Sequence, residues 1–158
     1  MEPTTGARLT RWFSSAPRAR GVAVIDPAMG DAELRHMHLA GVRGARVVLE
    51  TKGRHDPAGA GPMLRAVAER VAPLGWHVQT YTRLPIIHAL RGQLETLPVP
   101  AVIDHVGRAE ATAGIEQSGF DTLLSLVGSG KAYVKLSAPH RISKRPDLDD
   151  VGPIARAH

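Results

Sequence analysis

Apolar residues fall into two alternating rhythms along the chain. Five short runs are nearly continuous in apolar, β-branched character: residues 21–25 (GVAVI), 45–49 (ARVVL), 77–81 (HVQTY), 101–104 (AVID) and 132–136 (AYVKL). Runs of this kind predict strands covered on both faces, as in parallel sheets. Between them the apolar spacing changes to the helical period. Residues 31–40 begin with Asp31 as a capping residue and stop at Gly41. Residues 63–72 follow Pro62 and place Leu64, Val67 and Val71 on one helical face. Residues 85–97 carry a stripe of Ile86, Leu90, Leu94 and Leu97, and residues 119–127 hold Phe120, Leu123, Leu124 and Val127. One β/α unit recurs roughly every 30 residues, which predicts a parallel α/β architecture with right-handed crossovers.

The longest interruption, residues 51–61 (TKGRHDPAGAG), reads as a Gly/Pro-rich loop after the second strand. Residues 143–158 read as a polar loop followed by the start of one more helix. Residues 1–20 read as a plain N-terminal segment, with Trp12 and Phe13 docking on a domain of residues 21–158.

Composition narrows the class. At 158 residues, 43% hydrophobic and 22% charged, the chain suits one globular domain. It is short for a closed eight-stranded barrel, which takes about 200–250 residues. With no cysteine, disulfides and thiolate chemistry are excluded. No apolar run reaches the ~20 residues of a membrane span, and no secretory core is present, so a cytoplasmic location is expected. The net charge of +5 comes from scattered Arg, and only two Trp, two Tyr and two Phe are present. A nucleic-acid surface would cluster its cations and stacking rings, so none is expected.

In parallel α/β proteins, ligands sit at the C-terminal ends of the strands. The polar residues there are Asp26, Glu50, Tyr81, Asp104, His105, Lys135 and Ser137. Asp104-His105 is the sharpest pair. A His at that position serves as base, ligand or donor, or as a structural residue held by a loop carbonyl. Arg46, Lys52, Arg108 and Arg141 are the cations able to face an anionic ligand. Arg46 lies among apolar neighbours and demands a partner, either an internal acid such as Glu50 or a substrate carboxylate. His36 and His38 are not a metal pair, because i and i+2 on a helix do not share a face. Neither a phosphate-binding glycine pattern nor a G-x-S-x-G elbow occurs.

Taken together, GVAVIDP (21–27), AGVRGARVVL (40–49), APLGWHVQTY (72–81), LPVPAVIDHVGR (97–108) and YVKLSAPHRIS (133–143) resemble the amidohydrolase-related hydrolases. The likeness is to the branch of the 2-pyrone-4,6-dicarboxylate hydrolases. It implies a partial (β/α)8 TIM-type barrel holding about strands three to seven of eight, with the site at the C-terminal face. It further implies that His105 and Tyr81 polarise the reacting carbonyl and that Arg46, Lys52 and Arg141 hold carboxylates. Lys52 stands where that branch usually has Arg, which forfeits bidentate geometry.

That branch needs no metal, whereas more distant members use zinc or manganese. The family's HxH pair on the first barrel strand and its closing WGTDWPH-type strand are not matched in this sequence. The expectation is therefore a segment of a lactone or ester hydrolase for a carboxylated ring compound, weakly active or inactive alone. The alternative is a non-catalytic carboxylate-binding module that self-associates through open sheet edges.

Overall fold

The computed structural model describes residues 19–26, 28–49 and 57–157. The expectations for Trp12, Phe13, Glu50 and Lys52 lie outside them. The strands are β1 (Gly21–Ala23), β2 (Val42–Val48), β3 (His77–Tyr81), β4 (Ala101–Ile103) and β5 (Ala132–Val134). The helices are α1 (Asp31–Leu39), α2 (Pro57–Val71), α3 (Leu84–Ala89), α4 (Arg91–Glu95), α5 (Phe120–Gly128) and α6 (Val151–Arg156).

The five strands form one parallel sheet in the order β1-β2-β3-β4-β5. Each strand pairs with its neighbour in sequence, and the order never reverses. A doubly wound sheet reverses at its switch point, so the sequential order is that of a barrel wall. The sheet is open, with β1 and β5 at its edges among the described residues.

Register separates the two faces, since partners across a parallel ladder point the same way. Ala45, Val78, Ala101 and Ala132 form one row across four strands, and all four are buried. These small side chains let the helices approach. α1 and α2 pack on β2, α2 also on β3, and α5 on β5, while α3 and α4 pack on α5. Leu64, Val67 and Val71 of α2 are buried as the helical spacing predicts, each contributing about 1.5–3 kcal/mol.

The opposite face carries the row Arg46, Gln79, Val102 and Tyr133. It is only partly covered: Val22, Val24 and Tyr133 are 40%, 67% and 60% exposed. This corrects the expectation of strands covered on both faces.

Three elements differ from the sequence reading. Residues 57–61 belong to α2 and not to a loop. Gly61 is buried there, and a Cβ would press on Gln93 at 3.3 Å and Leu90 at 3.4 Å, so its glycine serves close helix packing. The helix expected over residues 85–97 divides at Leu90, whose φ and ψ of −95° and 9° leave the helical region. All four residues of its apolar stripe are nonetheless buried. Finally, α1 is capped by Gly30, while Asp31 sits in the first turn against Arg70. There its carboxylate favours the helix dipole and pairs with α2.

A polar tie fixes α1 to the start of β3. Trp76 is fully buried, and its Nε1–H donates to Nδ1 of His38 at 2.9 Å. The two rings lie nearly parallel, 8° apart. His38 is therefore a structural acceptor for the Trp76 indole.

Candidate functional site

The C-terminal ends of β3, β4 and β5 bring Tyr81, Asp104, His105, Lys135 and Ser137 together. Immediately after β4 the backbone makes an unusual turn. His105, Val106, Gly107 and Arg108 have φ of 50°, 53°, 58° and 51°. Each residue other than Gly107 loses roughly 1–2 kcal/mol in this left-handed region. Val106 is the worst placed, being β-branched. Burial of Asp104 before the turn and of Val106 within it holds the conformation, and Ala109 N–H closes it onto the Val106 carbonyl. Strain of this kind gathers at functional sites.

The turn changes where His105 points. On a continued strand, Asp104 and His105 would face opposite sides. Instead both reach the open face. Nδ1 of His105 lies 2.9 Å from Ser137 Oγ. Its ring meets the Tyr81 ring edge-on, with centroids 5.7 Å apart. With Nδ1 engaged by Ser137, Nε2 is the nitrogen left to meet a ligand.

Two cations converge on Tyr81. The guanidinium carbons of Arg108 and Arg141 lie 5.7 and 5.9 Å from the ring centroid, within cation–π range. Nη1 of Arg141 also donates to the Tyr81 hydroxyl at 3.3 Å. That oxygen thus accepts from Arg141 and retains its own proton for donation. Beside Arg108, a cleft of about 280 Å³ opens between Arg83, Leu84, Pro85 and the stretch holding Glu110, Gln117 and Ser118.

Below this lies a buried carboxylate. Asp104 is 0% exposed, and its Oδ1 accepts from Gln79 Nε2 at 2.8 Å and sits 3.0 Å from Lys135 Nζ. Its Oδ2 lies 2.8 Å from Arg46 Nη2, a close ion contact whose angles fall short of a hydrogen bond. Asp104 is thus the internal acid that Arg46 demanded, and Glu50 lies outside the described residues. Of the two partners open to Arg46, an internal acid or a substrate carboxylate, the structure shows the internal acid, and the Arg46 side chain stays 32% exposed.

Among the sequence candidates, Tyr81 meets both His105 and Arg141. Arg46 sits one register row deeper, and Lys52 is outside the described residues. Gln79 was missed by an inspection of strand ends. Its i, i+2 spacing from Tyr81 on β3 was the available signal. Among the described residues no three His, Asp or Glu side chains gather to ligate a metal. Asp104 spends both oxygens on cations and an amide, so this donor set does not fit a divalent ion. Nor is any helix among them long and apolar enough to cross a membrane.

The amidohydrolase family model matches residues 7–157. The chain is 35% identical over 131 residues to a 2-pyrone-4,6-dicarboxylate hydrolase of Comamonas testosteroni, covering 82% of this chain and 42% of that protein. It is 32% identical over 159 residues to a 4-sulfomuconolactone hydrolase of Hydrogenophaga intermedia, covering 98% and 51%. A solved Pseudomonas putida structure, described as a candidate 2-pyrone-4,6-dicarboxylic acid hydrolase, superposes with a TM-score of 0.77 at 32% identity, covering 98% of this chain and 56% of that one. The chain spans about half the length of the curated relatives it matches.

Proposed function

The chain belongs to the amidohydrolase family, and on that premise we propose that it carries the anion-binding and carbonyl-polarising part of a lactone hydrolase site. The substrate class is a small lactone ring bearing carboxylate or sulfonate groups. The relatives named for 2-pyrone-4,6-dicarboxylate and 4-sulfomuconolactone support this class. The observation that carries the reading is the convergence of Arg141, Tyr81 and His105 within one cluster.

Each residue has a distinct task. Arg141 offers a planar fork that matches a carboxylate or sulfonate. Tyr81 keeps its hydroxyl proton for the lactone carbonyl oxygen, because Arg141 occupies the oxygen as donor. His105, fixed through Nδ1 by Ser137, presents Nε2 to the same carbonyl. Donors aimed at that oxygen stabilise the negative charge that grows as water adds to the carbonyl carbon. The ring C–O bond then breaks, one proton of the water passing to the leaving enol oxygen and the other to solvent, to give a carboxylate and an enol. The described residues supply no uncommitted carboxylate beside His105 to take the proton of the attacking water, since Asp104 is held by Arg46, Lys135 and Gln79.

That last feature favours a second reading, in which the chain binds such anions without turning them over. One experiment separates the two. Titrate 2-pyrone-4,6-dicarboxylate into the chain by calorimetry, and follow the pyrone absorbance in parallel. Saturable binding weakened by Arg141→Met is expected on both readings. Loss of pyrone absorbance that depends on His105 supports the hydrolase, and binding without such loss supports the carrier. Absence of any binding contradicts both.

A further inference from the structure

Among the described residues the sheet has two free edges, β1 and β5, and their backbones are complementary. In a parallel ladder, alternate residues turn both backbone groups toward the same neighbour. The Gly21 N–H is spent on the Gly41 carbonyl, so Val22 and Val24 turn theirs to the outer side. On β5 the Lys131 carbonyl accepts from Ala101 and the Lys135 N–H donates to Ile103. Ala132 and Val134 therefore turn theirs outward. A strand lying parallel to β5 with Val24 opposite Tyr133 satisfies both edges: the Val24 N–H meets the Ala132 carbonyl, and the Val24 carbonyl meets the Val134 N–H.

The same register matches the side chains. Ala23 lies on the row of Ala45, Val78, Ala101 and Ala132, so Val24 and Tyr133 fall together on the next row, on the open face. At 67% and 60% exposed, they would cover each other as cross-strand neighbours. Two positions further along, exposed Asp26 stands opposite Lys135, whose side chain is 44% exposed. Opposite charges at that spacing favour the pairing. We propose that β1 of a second copy of this chain docks in parallel on β5. Any occupant of this edge must be parallel, share the sheet's twist and carry an acid at the right level, and the chain's own β1 meets all three demands. Two copies facing each other make the contact twice about a twofold axis, which leaves neither copy with a free edge. The open face becomes the lining of the closed assembly. Each copy then contributes its Asp26 to the rim of the other's site, beside Lys135 and Asp104.

The chain has no cysteine, so an introduced thiol reports its neighbour. Sedimentation of the full wild-type chain should show a monomer–dimer equilibrium with no larger species. Val24→Cys and Tyr133→Cys chains, mixed under mild oxidation, should form a disulfide-linked pair. Either variant oxidised alone should give about tenfold less, because the twofold axis holds like positions too far apart to bridge. Both positions are exposed, so both variants should keep the wild-type circular dichroism. Asp26→Lys sets a cation against Lys135 at both contacts and should weaken the dimer by about tenfold. A wild-type chain that is monomeric at every concentration overturns the inference. So does a ladder of larger species, equal cross-linking by either variant alone, or an unchanged dimer in Asp26→Lys. None of these readouts involves a ligand, so their failure leaves the proposed function standing.

Discussion

The Arg46 guanidinium and the Asp104 carboxylate meet at 2.8 Å, from strands that are not neighbours in the sheet, with the acid fully buried and the base partly open to solvent. This pair forms the floor on which the ring of Tyr81, His105 and Arg141 stands. Replacing the charge while keeping the shape tests it. Asp104→Asn leaves Arg46 and Lys135 without their shared counter-charge. The expected loss is about 1–3 kcal/mol, below that of a fully buried pair because both cations reach water. Urea unfolding followed by circular dichroism measures it; a change within about 0.5 kcal/mol would contradict the role.

The left-handed turn gives a substitution that separates function from stability. His105→Gly relieves roughly 1–2 kcal/mol of backbone strain and forfeits one hydrogen bond worth about 0.5–1.5 kcal/mol. The fold should keep its stability within about 1 kcal/mol. Lactone binding should weaken measurably, because Nε2 is lost. A variant that is strongly destabilised would mean that His105 is a packing residue first.

The tie between His38 and Trp76 is structural. His38→Leu strands a buried indole N–H, at a cost of about 1–3 kcal/mol. A double-mutant cycle with Trp76→Phe should show coupling, because the second change removes the donor that the first leaves unpaired. Strict additivity of the two melting shifts would show that the hydrogen bond contributes nothing.

Acid should weaken the fold through His77. Its pKa lies below the usual 6.5, because burial disfavours the imidazolium more than a backbone hydrogen bond at Arg43 favours it. A histidine held neutral in the fold gives its full stabilisation above the unfolded pKa. That contribution is lost as pH falls from about 6.5 toward the lowered folded value. Melting temperatures from pH 8 to pH 5 should therefore fall more steeply for the wild type than for His77→Gln. Parallel curves would remove His77 from the account. The ring also rests where Gly44 has no side chain, since a Cβ there would lie 2.5 Å from Cε1 and 2.9 Å from Cδ2.

Much of this was legible from residues alone. Strand runs with β-branched character located all five strands, and the strand-end rule found Tyr81, His105 and Lys135. What stayed hidden was non-local. Asp104 as partner of Arg46 depends on the register of β2, β3 and β4, which no local pattern encodes. The turn over His105 and Val106 contradicts their backbone preferences, and only Gly107 hinted at it. Residues 57–61 looked like a loop because glycine and proline are weak helix formers. Packing of Gly61 against Leu90 and Gln93 overrode that preference.

Gly119 illustrates the same non-local limit in a form that can be measured. It precedes α5 with φ of 83°, and a Cβ would approach the Leu84 carbonyl oxygen to 2.8 Å. Gly119→Ala should cost more than about 1 kcal/mol through the left-handed backbone and this contact together. A melting temperature equal to the wild type would contradict the close approach of α3 and α5.

The most direct test of the central claim reads Tyr81 itself. The chain has only two tyrosines, Tyr81 and Tyr133, so ring-labelled tyrosine gives two signal sets, assigned with Tyr133→Phe. On titration with 2-pyrone-4,6-dicarboxylate, the Tyr81 signals should shift saturably, and Arg141→Met should require about tenfold more ligand for the same shift. Tyr81 signals that stay fixed while ligand is added, or that shift equally in Arg141→Met, would contradict the placement of the anion-binding site at the cluster of Tyr81, His105 and Arg141.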